Sequence, residues 1–139
     1  MSAPDPVGLW LDKVDSDLLT IANNMASDRV PWDSVCFHAQ QAAEKALKAY
    51  LVSRGITPDR THDCLVLLQA CAEYDADLAQ YESACLELAP FAVAPRYPII
   101  GAGPTEAESR QLVAQAREIV RAVVARLQRP FSDPLATVP

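Results

Sequence analysis

The sequence predicts an all-α fold, an antiparallel up-and-down bundle of four to five helices, on three observations. Apolar residues recur at steps of three and four along several separate stretches, the period that gathers side chains on one helical face. No stretch carries a convincing strand alternation. Proline, glycine and capping residues fall between the periodic stretches, where helices must stop and start.

The first helix follows Pro4 and Pro6, with Val7, Leu11, Val14, Leu18, Ile21 and Met25 as a continuous apolar seam ending near Ser27. Asp12, Lys13, Asp15 and Asp17 read as lying mainly off that seam. The second helix opens at Trp32 or Asp33, just after Pro31, and runs to Arg54, where Gly55 supplies the stop. Its Glu44 and Lys48, four apart, read as a solvated ion pair on an exposed face. Thr61 or Asp63 can cap a third helix whose apolar side includes Leu65, Leu67, Leu68 and Ala72. A break or kink at 74–77 precedes a helix over about Leu78 to Leu88. Pro90, Pro95, Pro98, Gly101, Gly103 and Pro104 then make the longest irregular stretch. Thr105 and Glu108 form a capping-box pattern for the last helix, which has Leu112, Val113, Ala116, Ile119, Val120, Val123 and Leu127 on its apolar face. Arg110, Arg117, Arg121, Arg126 and Arg129 give that helix a locally basic look. The expected organisation is one bundle over residues 1–129 and a flexible, frayed tail over 130–139, which holds three prolines.

Of the 139 residues 50% are hydrophobic, enough for a core without metal or disulfide support. The net charge of −6 disfavours a broad grip on RNA, which needs Lys and Arg against phosphates. Cys36, Cys64, Cys71 and Cys85 form no C-x-x-C pair and have no histidines at zinc spacing, so they read as reduced and mostly buried. No basic leader with an apolar core opens the chain and no segment is long and apolar enough to span a membrane, so a cytoplasmic location is expected. With no phosphate loop, metal motif or G-x-S-x-G site, no cofactor, metal or catalytic residue is expected.

The richest stretch runs from His38 to Leu51. Small residues at Val35, Ala39, Ala42, Ala46 and Ala49 and polar ones at His38, Gln41, Lys45 and Lys48 form two stripes on one helix. This order, with Trp10–Asp17, Thr61–Leu68 and Leu88–Pro98, resembles the HEPN family of helical domains, in the branch of small proteins often encoded beside minimal nucleotidyltransferases. The resemblance implies a helical bundle, a homodimer, a nucleotide ligand and a minimal nucleotidyltransferase partner in a toxin–antitoxin-like pair. It also implies a binding set of His38, Gln41 and Lys45, joined by Arg96 and Tyr97 from an Arg-Tyr-Pro element in the irregular loop. A guanidinium offers a donor fork for phosphate and a tyrosine ring offers a stacking face. Many relatives are metal-independent ribonucleases with an arginine, four to six residues, then a histidine. Here Arg29 precedes His38 by nine positions, Arg54 and Arg60 precede His62 by eight and two, and no histidine follows Arg96. The expected function is therefore a nucleotide-binding or protein-interaction module, the missing arginine–histidine spacing weighing against an enzyme, and the alternative is a divergent ribonuclease pairing Arg96 with His38 or His62. His38 can equally be a bundle histidine, His62 a cap or packing residue, Lys45 the partner of a bundle carboxylate, and the Arg96–Tyr97 pair a loop clamp.

Overall fold

The computed structural model describes residues 3–93 and 103–138. Five α-helices and two short 3-10 turns make up its regular structure, with no strand among the described residues. The first, α1, spans Pro6–Met25. Asp5 caps it by accepting from the Gly8 N–H at 3.0 Å, and Pro6 sits at the first turn, where a missing N–H costs nothing. The Asp5 carboxylate folds so closely over Gly8 that a Cβ there would lie 2.3 Å from Oδ2.

Helix α2, Trp32–Ser53, is the centre of the bundle and packs against α1, α5 and α3. Val35, Ala39, Ala42, Ala46 and Ala49 are fully buried, so the small-residue stripe is the close-packing face it reads as. Gly55 follows the helix at φ 77, the left-handed conformation that ends helices at glycine. Of the two candidate caps for α3, Cys64–Ala72, Asp63 takes the role and accepts from the Leu65 and Val66 N–H groups. Thr61 in turn accepts from the Asp63 N–H.

The predicted helix over 78–88 is divided. Asp75 accepts from the Asp77 N–H and starts a 3-10 turn, Ala76–Tyr81, before the α-helix proper, α4, over Glu82–Leu88. That turn keeps Leu78 in the core at 1% exposure. A second 3-10 turn, Ala89–Phe91, carries Pro90. The last helix, α5, spans Glu106–Leu127, and Thr105 accepts from the Glu108 N–H as the capping pattern requires.

The sequence of residues 130–139 suggests a frayed tail, but the described part folds back onto the bundle. Leu135 is 2% exposed in the main core, Phe131 and Val138 pack against it, and Asp133 accepts from Arg117 at 2.8 Å. Three apolar side chains and one ion pair outweigh the disorder that three prolines suggest. No described helix is long and apolar enough to cross a membrane.

All four cysteines are free and buried. Burial pushes the Cys36 thiol up and the Cys71 thiol up to about 12; Cys64 is raised by its hydrogen bond with Cys85 and then by burial. Because burial keeps a reagent away from all four thiols, a thiol reagent at about pH 8 should leave all four unmodified in the folded chain and titrate four on denaturation. Leu135→Ala should cost about 2 kcal/mol in urea unfolding; a change under about 0.5 kcal/mol would mark the tail as unattached.

Candidate functional site

The polar residues of α2 meet two carboxylates that are themselves out of water. The first is Asp17 on α1, 6% exposed and flanked by the core residues Val14, Leu18 and Ile21. His38 and Lys45 stand seven residues apart on α2, two turns along one face, and both reach it. His38 Nδ1 lies 2.8 Å from Asp17 Oδ1, and Lys45 Nζ donates to Oδ2 at 2.7 Å. Asp17 thus lies inside the α1–α2 contact rather than off the seam. The His38 ring also meets Phe37 edge to face, with centroids 5.1 Å apart.

The second carboxylate is Glu44, 2% exposed. Lys48 Nζ donates to its Oε2 at 3.2 Å and His62 Nδ1 lies 3.0 Å from its Oε1. The expected solvated Glu44–Lys48 pair is therefore buried. The loop entering α3 closes over it: the His62 carbonyl accepts from Gln40 Nε2 at 2.9 Å, and Trp10 of α1 covers the Lys48 ammonium, 5.5 Å from its ring centre. His62 itself remains 69% exposed at the side chain and packs through Glu44, while Asp63 does the capping.

Each carboxylate therefore sits between one histidine and one lysine. Ionised carboxylates only accept, so the Nδ1 atoms of His38 and His62 carry the hydrogen toward them and Nε2 is the nitrogen left over. The two glutamines extend the Glu44 cluster. Gln41 Nε2 donates to Gln40 Oε1 at 2.6 Å, and Gln40 Nε2 reaches the edge of Glu44 at 3.5 Å.

Of the expected binding set, His38 and Lys45 come together on Asp17, Gln41 turns toward Gln40, and Arg96 and Tyr97 lie outside the described residues. Asp17, Gln40 and Glu44 are the members that sequence reasoning missed as parts of the site. The available signal was the i, i+4, i+8 series Gln40, Glu44, Lys48, a second polar stripe on a helix that also carries an apolar one.

The family model described as HEPN domain matches residues 7–127 of the chain. A crystal structure of an archaeal HEPN homologue is similar over 89% of this chain and 99% of its own, with a TM-score of 0.68 at 24% sequence identity, a likeness of fold. No curated protein matches the chain significantly.

The Glu44 cluster makes a definite energetic prediction. Lys48→Met leaves a buried carboxylate without its ammonium and should cost about 3 kcal/mol in urea unfolding. Adding Glu44→Gln removes the stranded charge, so the double variant should be more stable than Lys48→Met alone. Strict additivity of the two single changes would show that the pair is not coupled.

Proposed function

The chain belongs to the HEPN domain family, and from that premise we propose that it is a non-catalytic binding and interaction module. In this reading it works as a homodimer and uses one edge of α2 to hold a nucleotide or an anionic segment of a partner, the partner being a minimal nucleotidyltransferase. The observation that carries the reading is the Asp17 clamp. His38 and Lys45 are fixed by a carboxylate buried between two helices, yet their side chains remain 25% and 21% exposed. Groups already fixed lose little freedom when a ligand arrives, which favours binding. His38 has Nε2 free of Asp17, and the Lys45 ammonium uses one of its three N–H donors on Oδ2. Arg96 and Tyr97 enter from sequence alone, as a fork for phosphate and a ring face.

A second reading, a divergent metal-independent ribonuclease, has one specific observation in its favour. Both histidines are oriented through Nδ1 by a buried carboxylate, an arrangement that suits proton transfer. Cleavage of a phosphodiester also needs charge stabilisation on the phosphate. Among the described residues Asp17 is held by His38 and Lys45, and Glu44 by Lys48, His62 and Gln40, with no arginine in either set, while Arg96, the arginine this reading pairs with a histidine, lies outside them. The module reading is preferred because neither histidine has an arginine at the family's ribonuclease spacing in the sequence.

Purified protein should run as a dimer in light-scattering chromatography, show a nucleotide-dependent rise in Tm that Lys45→Met reduces, and leave mixed RNA intact without added metal. Cleavage that disappears in a His38→Ala/His62→Ala variant would replace this reading with the ribonuclease one. A monomer whose Tm no nucleotide raises would remove it altogether.

A further inference from the structure

The arginines on and just after α5 look like a basic stripe in sequence, but folding supplies three of them with distant carboxylates. Arg117 pairs with Asp133, Arg126 Nε with Asp75 at 2.6 Å, and Arg129 makes two bonds to Asp5 at 2.7 and 2.8 Å. The last two pairs bring their guanidinium groups to the end of the bundle where α2 and α5 both finish. There they meet Arg54, the residue that closes α2.

These three arginines line one cavity of about 530 Å³, together with Tyr50, Tyr74 and Asp75. Arg54 has no carboxylate partner among the described residues; its guanidinium lies over the Tyr74 ring, 5.3 Å from the centroid. Among the described residues, three guanidinium groups thus have two carboxylate partners, Asp5 and Asp75, which leaves one positive charge without an ion pair in a chain of net charge −6. Donor capacity is also left over. A guanidinium has five N–H donors, of which Arg126 uses two, on Asp75 and the Ala122 carbonyl, and Arg129 uses two on Asp5.

We propose that this arginine pocket is a binding site for a small phosphate-class oxyanion. A planar carboxylate is satisfied by one fork, as Asp5 is by Arg129. A tetrahedral oxyanion directs its oxygens several ways at once and matches guanidinium donors arriving from the ends of both α2 and α5. The two helix C-termini nearby carry partial negative charge and take up some of the arginine field. Arg54, without a carboxylate, is therefore the residue on which anion affinity turns. Asp75 is held below the usual carboxylate range by its hydrogen bond from Arg126, so it stays charged and keeps that guanidinium in place. The pocket is separate from the His38 edge: sixteen residues along α2 at 1.5 Å each is about 24 Å. The inference stands whether or not the module reading does.

The test is calorimetric titration of the full chain with sodium pyrophosphate against a sodium chloride blank of equal ionic strength. The original protein and Arg121→Gln, which alters an exposed α5 arginine outside the cavity, should bind saturably at one site per chain. Arg54→Gln should weaken binding about tenfold or more, the loss expected for a charged hydrogen-bond donor. Arg54→Lys keeps the charge without the fork and should fall between them; it also serves if the glutamine variant does not fold. Absence of saturable binding in the original protein, or unchanged affinity in the Arg54 variants that fold, overturns the proposal.

Discussion

Asp17 and Glu44 are carboxylates with almost no access to water, and the arrangement of the bundle follows from how their charges are met. Moving such a group out of water costs several kcal/mol, so each must find donors or lose its charge. Asp17 finds them on α2, at His38 and Lys45. Glu44 finds one on its own helix and one at the entrance to α3. Burying an ion pair adds little net stability compared with apolar packing, but it penalises every arrangement in which the pair is broken. Sliding α1 by a turn along α2 would move Asp17 about 5.4 Å from its partners and leave the charge stranded. The apolar seam alone has no such preference, since one leucine step resembles the next.

Around these fixed points, packing is set by small residues. Ala39, Ala42 and Ala46 are fully buried on α2, so neighbouring backbones can approach closely along that face, and Leu18, Ile21, Leu47 and Ile119 fill the remaining volume. The cysteines behave as small core residues: Cys36 Sγ lies 3.3 Å from the Ser109 hydroxyl on α5, and Cys71 Sγ lies 3.5 Å from the Leu47 carbonyl on α2. Polar clamps choose the register and small side chains set the distance. These two constraints act on different edges of the same helix, which is why α2 can be buried on most of its circumference.

The parts of this fold that were legible from sequence are those decided within one helix. The seam from Val7 to Ile21, the stop at Gly55, and the capping of α5 by Thr105 depend on neighbours three or four residues away. The parts that were not legible depend on which helix arrives. Asp17 looks like one more acidic residue among Asp12 and Asp15, and only the approach of His38 and Lys45, more than twenty residues later, distinguishes it. Glu44 and Lys48 have the spacing of an exposed pair, and nothing local announces that Trp10 and the His62 loop will cover them. The tail is the same case, since Leu135 can be read as a core residue only once α5 and its Arg117 are in place.

Folding also redistributes charge in a way that limits what the surface can recognise. Counted along α5, the arginines after Glu118 suggest a basic stripe suited to a polyanion. In the bundle Arg117, Arg126 and Arg129 are each matched by an aspartate from elsewhere in the chain, and Lys45 and Lys48 by Asp17 and Glu44. Binding to a nucleic-acid backbone relies on many cations acting together against a row of phosphates. A chain that pairs these cations internally and carries a net charge of −6 offers little of that long-range attraction. It retains a few fixed donors held in place by their own carboxylates, which favour a compact ligand that engages them at hydrogen-bonding distance. The carboxylates that hold the bundle in register are thus the same groups that neutralise the cations beside them and keep those donors oriented.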